Sequence, residues 1–185
     1  MRDIKVASRY AKSLLGIALE QNTLEEVYHD MQMISNVCAQ NRDLVLLLKS
    51  PIVRRDKKEA IFTEIFGNNI SIISNTFFSI ILTKKREGLL PDIASSFIDV
   101  YKTYKNITTT YITTAIPLTE EQKLKIIALL KNQGNKNIEL IEKINSGLIG
   151  GLIIKIGDKQ VDESIKRKLS NLEKEFDENP FVREY

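Results

Sequence analysis

Residues 147–176 read GLIGGLIIKIGDKQVDESIKRKLSNLEKEF. Gly147, Gly150 and Gly151 interrupt an apolar run before it settles into Gly151–Ile156, where Ile153, Ile154 and Ile156 favour an extended strand. Gly157-Asp158 is a tight-turn pair. Asp162 then has the side chain of a helix N-cap, and Ile165, Leu169, Leu172 and Phe176 recur at helical spacing along one side of the next segment. The stretch thus reads strand, turn, amphipathic helix, with no obvious catalytic side chain.

Working backwards, Ile138–Ile144 reads as another strand, preceded by a Gly134-Asn135 turn. Thr119 and Gln122 form a capping box for a helix running to about Gln133. Ile107–Ile116 is dense in β-branched residues and reads as a strand. The order β-α-β-β-α predicts a small α/β domain over residues 106–185.

The preceding residues 1–105 predict a six-helix bundle, so the fold class is mainly α with a smaller α/β domain behind it. Ile4, Ala7, Ala11, Leu14, Leu15 and Ala18 share one helical face. Thr23 and Glu26 have capping-box spacing before the stripe Leu24, Val27, Tyr28, Met31, Ile34 and Cys38. Leu44, Leu47 and Leu48 mark a third helix that Pro51 should stop, because Ser50 before proline is driven out of helical geometry. Asp56 and Glu59 repeat the box spacing, with Ile61, Ile65 and Phe66 behind them as a buried face. Gly67-Asn68-Asn69 makes a turn. The fifth helix is apolar on more than one side, through Ile72, Ile73, Phe77, Phe78, Ile80, Ile81 and Leu82. Such a helix is central in its bundle or keeps a groove for an outside partner. Pro91 opens the sixth, with Ile93, Ala94, Phe97, Tyr101 and Tyr104 as its stripe.

The composition narrows the functional classes. With 43% hydrophobic and 28% charged residues over 185, the chain is ordinary for a globular protein. A net charge of +3 is too small to demand a polyanion. The single Cys38 forms no intrachain disulfide and points to a reducing, cytoplasmic setting. No apolar run approaches the roughly 20 residues that span a bilayer.

Reactive constellations are equally scarce. His29 is the lone histidine and reads as a helix-surface residue; Cys38 lies on an apolar stripe and reads as a small buried hydrophobe. The glycines at 147, 150 and 151 precede an apolar strand and lack the Gly-Lys-Ser/Thr of a phosphate loop, so close backbone packing is the favoured reading. Gly147-Leu148-Ile149-Gly150 spells the GXXG of a KH domain, but Leu148 and Ile149 are apolar where a nucleic-acid-gripping loop wants polar or basic groups. Basic clusters at Arg54–Lys58, Lys84–Arg86 and Lys166–Lys168 are diluted by neighbouring acids. A small RNA-binding module is therefore the runner-up reading. No metal or cofactor is expected.

Three segments together carry a resemblance. They are Val6–Lys12 (VASRYAK), Lys85–Ile93 (KREGLLPDI) and Ile138–Gly157. In the last, extended to the final helix, the signature positions are Ile138, Leu140, Ile144, Gly150, Gly151, Ile154, Lys155, Gly157, Asp158 and Asp162. The chain resembles the F-type ATP synthase delta subunit family, which includes the mitochondrial oligomycin sensitivity-conferring protein. It departs where family members commonly carry Ile-Asp-Gly-Ser, having Val161-Asp162-Glu163-Ser164 instead. Glu163 in the glycine position predicts a last helix that starts earlier or more firmly.

The resemblance implies a non-catalytic stator subunit of a machine driven by a proton or sodium gradient. The N-terminal bundle would capture the N-terminal helix of an alpha subunit, and the C-terminal domain would grip the membrane-anchored b subunit. The chain would then sit peripherally on the cytoplasmic face of a bacterial plasma membrane. Tyr10, Ser13 and Ile17 on the first helix, with Phe77, Ile80 and Ile81 on the fifth, are expected to line the capture groove; the alternative is that these six simply pack the bundle.

Overall fold

The computed structural model describes residues 2–67, 69–132 and 137–177. The chain divides into two compact units, Met1–Tyr104 and Lys105–Tyr185. The first holds helices α1 (Arg2–Glu20), α2 (Leu24–Gln40), α3 (Arg42–Lys49), α4 (Arg55–Phe66), α5 (Ile72–Thr83) and α6 (Leu90–Tyr104), with a 3-10 turn at Glu87–Leu89. The second holds β1 (Ile107–Thr114), α7 (Glu120–Asn132), β2 (Asn137–Ile144), β3 (Leu152–Ile156), β4 (Lys159–Asp162) and α8 (Ile165–Asp177).

Helix α6 is the axis of the first unit and packs on both α1 and α2. Its Leu90, Ile93, Ala94, Phe97 and Tyr101 are buried. Opposite them α1 buries Ala7, Ala11, Leu14 and Ala18. Three alanines at that seam let the helix backbones approach closely, since each side chain ends at Cβ. Ile4 lies outside this seam, 64% exposed. A second seam holds Phe62 of α4 stacked on Phe78 of α5, ring centroids 3.5 Å apart, with Phe66 tilted beside them. Each fully buried aromatic contributes roughly 1.5–3 kcal/mol.

Buried polar groups tie the helices together. Lys58, only 2% exposed, donates from Nζ to the Leu48 carbonyl at 2.8 Å and to Glu87 Oε1 at 2.7 Å. This joins α4 to the end of α3 and to the 3-10 turn. Helix α3 ends as Pro51 requires, with Ser50 extended at φ −68°, ψ 124°.

Several expected caps are differently made. Thr23 flanks α2 but its hydroxyl makes no capping bond. Helix α4 begins at Arg55, so Asp56 falls inside the first turn rather than at the cap, and Glu59 receives the Ser79 hydroxyl at 3.2 Å. On α4 the buried face is Phe62 and Phe66, while Ile65 is 41% exposed. Gly67 is helical (φ −56°), and Asn68 and Gly134-Asn135, with the expected helix end at Gln133, lie outside the described residues.

In the second unit the sheet order is β2-β1-β3-β4. Strand β1 pairs in parallel with β2 and antiparallel with β3, and β3 pairs antiparallel with β4. The parallel pair is bridged by α7, whose reciprocal cap is as read from the sequence: Thr119 N–H donates to Gln122 Oε1 at 2.9 Å, and Gln122 N–H to Thr119 Oγ1 at 3.4 Å. Ile126 and Leu130 of α7 pack on Ile112, ringed by Leu118, Ile138, Leu140, Leu152, Ile154 and Ile156. Strand β4 adds one element to the expected order. Lys159 and Gln160 gave no strand signal; pairing of Ile156 with Lys159 across Gly157-Asp158 makes them one.

Candidate helix-binding groove

The groove is built from α5 outward. Asp30 of α2 is buried, and its Oδ2 accepts from Ser71 N–H at 2.9 Å, Ser71 Oγ at 2.6 Å and Ser74 Oγ at 2.6 Å. Ser71 also caps α5 by accepting from Ser74 N–H. A carboxylate at a helix N-terminus meets the positive end of the peptide dipoles. These bonds fasten the start of α5 to α2. Phe77, Phe78, Ile81 and Leu82 are turned into the bundle, whereas Ile72 is 86% and Ile80 46% exposed. The surplus of apolar surface read from the sequence is therefore divided between core and solvent.

Between α1 and α5 lies a cleft of about 220 Å³ lined by Leu14, Ile17, Ile72, Ile73, Phe77 and Ile80. Tyr10 and Ser13 line a neighbouring cleft with Val6, Arg9 and Arg86. Tyr10 meets Phe77 edge-on, centroids 6.4 Å apart at 69°. Of the six residues anticipated from sequence, Tyr10, Ser13, Ile17, Phe77 and Ile80 lie along this double cleft. Ile81 does not: it is 0% exposed and belongs to the core. Ile72 and Ile73 were missed, although Ile72, Thr76 and Ile80 stand at the i, i+4, i+8 spacing of one helix face.

The second unit offers another apolar surface. On α8, Ile165, Leu169, Leu172 and Phe176 form the anticipated stripe, but all are exposed, from 43% at Ile165 to 85% at Phe176. The helix begins at Ile165, not earlier, and its cap is Ser164, whose Oγ accepts from Arg167 N–H at 3.2 Å. Asp162 is instead the last residue of β4 and accepts from Ser164 N–H at 2.9 Å. The Ser164 hydroxyl and N–H beside it hold the Asp162 carboxyl below the usual range.

The glycines serve packing. A Cβ on Gly151 (φ +82°) would lie 2.4 Å from the Glu163 carbonyl oxygen, and one on Gly150 would lie 2.8 Å from Ile165 Cδ1. Gly150 and Leu152 carbonyls accept from Ile165 and Glu163 N–H. The pair lets the start of α8 lie against the start of β3. Gly147–Gly150 stands between strands β2 and β3 with Leu148 buried, unlike a loop gripping nucleic acid. Among the signature positions Ile138, Leu140 and Ile154 pack the sheet core, Gly157-Asp158 closes the β3–β4 hairpin, Ile144 is exposed at the end of β2, and Lys155 is exposed.

His29 is exposed, and burial pushes the Cys38 thiol up, away from the nucleophilic thiolate. Among the described residues no His/Cys/Asp/Glu group is arranged to hold a metal ion. What the two units present is apolar helix-scale surface.

The profile of the ATP synthase delta (OSCP) subunit family matches residues 6–176. An ATP synthase subunit delta of Cytophaga hutchinsonii is 38% identical over 178 residues, covering 96% of this chain and 97% of the relative. That of Lactobacillus johnsonii is 34% identical over 176 residues, covering 95% and 96%. The fold matches a chain of the Toxoplasma gondii mitochondrial ATP synthase hexamer with a TM-score of 0.68 at 22% identity, over 95% of this chain and 98% of that one. The chain belongs to the ATP synthase delta (OSCP) subunit family.

Proposed function

We propose that this chain is a non-catalytic stator subunit of an F-type ATP synthase, holding the catalytic head to the peripheral stalk against the torque of the rotor. The observation that carries the reading is the apolar cleft between α1 and α5, where Ile17, Ile72 and Ile80 line one cleft and are left exposed. A groove of this kind receives an amphipathic helix through anchors at i, i+3/i+4 and i+7. Its guest is the N-terminal helix of the alpha subunit. The α8 stripe meets the b subunit in the same way, and that contact brings the chain to the cytoplasmic face of the membrane. Among the described residues no helix is long and apolar enough to cross a bilayer.

Physically, the device needs long-lived contacts more than fast association, and lifetime is set mainly by dissociation. Bridging two parts of one assembly makes the second contact intramolecular and raises avidity about 10²–10⁴-fold. Two interfaces of ordinary size then suffice.

The test is binding of the full chain to an alpha-subunit N-terminal peptide and, separately, to b. Ile80→Asp or Ser13→Asp weakens peptide binding and leaves the thermal transition and b binding unchanged. Leu172→Asp does the reverse. A chain ending at residue 105 keeps the head contact alone. Unaltered peptide affinity in Ile80→Asp and Ser13→Asp overturns the groove assignment, and salt-sensitive capture of single-stranded RNA in place of peptide overturns the stator reading.

A further inference from the structure

The α1–α5 groove has two chemically different ends. At one, late α1 (Ile17) faces early α5 (Ile72, Ile73), and the lining is mainly apolar, with Gln21 and Thr76 as its polar members. At the other, early α1 (Val6, Arg9) faces Arg86, just beyond the end of α5. The helices therefore run antiparallel along the groove, and its far end is basic. Arg86 also lines a larger open cleft of about 940 Å³ that adds Lys49, Arg54, Arg55 and Lys85. Glu87 is bound by the Lys58 ammonium at 2.7 Å, and Glu59 lies 3.9 Å from Arg55. Among the described residues those are the ion pairs of this region, and neither involves Arg9, Arg54, Lys85 or Arg86. Arg9 and Arg86 are both exposed.

Unneutralised guanidinium groups at the end of an apolar groove recognise carboxylate, for which the planar fork of N–H donors is matched. We propose that Arg9 and Arg86 form a carboxylate-binding mouth, so that the helix received by the groove carries an acidic residue about two turns from its apolar anchors. The spacing comes from α1 itself: eight residues separate Arg9 from Ile17, roughly 12 Å at 1.5 Å per residue. The mouth fixes which way round the guest lies, because an apolar groove alone accepts a stripe in either direction. Continuity with that groove favours an acidic helix over a nucleic acid as the occupant. The inference rests on the groove reading proposed above.

The experiment is a double-mutant cycle with the full chain and the first 25 or so residues of the alpha subunit from the same cell. On one side is Arg9→Gln with Arg86→Gln; on the other, the peptide with its Asp and Glu changed to Asn and Gln. Each change alone should weaken binding about 5–10-fold, the two together no further, and added salt should lower the wild-type affinity toward the mutant level. The thermal transition, unmoved because both arginines are exposed, reports intact folding. Arginine variants that bind within about 2-fold of wild type, or losses that add, overturn the mouth. If Ile80→Asp then still weakens binding, the groove itself stands. If Ile80→Asp is also silent, or the peptide does not bind, groove and mouth fall together. A homopolymeric RNA that competes with the peptide, and loses affinity in the arginine variants, would assign the basic end to nucleic acid and overturn the proposal.

Discussion

Ile80 and Ile81 are consecutive on α5, yet Ile80 is 46% exposed in the groove and Ile81 is 0% exposed in the core. A helix turns about 100° per residue, so neighbours in sequence serve opposite tasks. The edge-on contact of Tyr10 with Phe77, 6.4 Å between centroids, lies at the boundary between those two environments.

Substitution should separate them cleanly. Ile81→Ala should cost about 2–4 kcal/mol in urea unfolding, the usual range for truncating a buried isoleucine. Ile80→Ala should stay within about 1 kcal/mol while weakening the alpha-peptide complex. Equal stability losses at the two positions would mean that Ile80 is a core residue.

The Lys58–Glu87 bond makes a second prediction. Glu87→Ala leaves the Lys58 ammonium, 2% exposed, with the Leu48 carbonyl as its described partner. Breaking one side of a buried pair costs about 3–5 kcal/mol, and the partial exposure of Glu87 (16%) places the loss near the lower end. Lys58→Met in the same background should recover much of it, because the uncompensated charge is then gone. Chemical denaturation of the single and double variants decides this.

Tyr101 sets a limit at high pH. Burial, the hydroxyl's 2.6 Å bond to Glu25 Oε2 and the nearby charge together push its ionisation from 10.0 to about 12. The unfolded tyrosine therefore loses its proton first. Stabilisation is complete below pH 10 and is lost as pH rises through about 12, amounting to at most about 2–3 kcal/mol by linkage. Urea midpoints at pH 9 and pH 11.5 should fall much less in Tyr101→Phe than in the parent chain. Parallel slopes would remove Tyr101 from the account.

Gly151 is irreplaceable for a local reason. Its φ of +82° is strained for any L side chain, and a Cβ would lie 2.4 Å from the Glu163 carbonyl. Gly151→Ala should cost more than the roughly 1–2 kcal/mol of a left-handed residue, since the clash with backbone adds to it. The loss should be confined to the second unit. Amide exchange in β3 and α8 should accelerate while α6 keeps its protection.

Much of this molecule could be read from local spacing. The α1 seam of Ala7, Ala11, Leu14 and Ala18, the stop at Pro51, and the Thr119–Gln122 box all depend on residues within a few positions of each other. Period and capping are short-range physics, and one sequence contains them whole. Even the α8 stripe was visible, although periodicity names a face without saying what covers it, and here it is exposed.

The rest required the chain to fold back on itself. Asp30 holds the cap residue of α5, Ser71, from 41 residues away, and Lys58 finds Glu87 across 29. Strand β4 exists because Ile156 supplies a partner for Lys159. On α5, apolar on nearly every side, no pattern could decide between Ile80 and Ile81 for the groove. Only the packing of α2 and α4 around that helix chose, because burial depends on which neighbours arrive and local composition does not specify them.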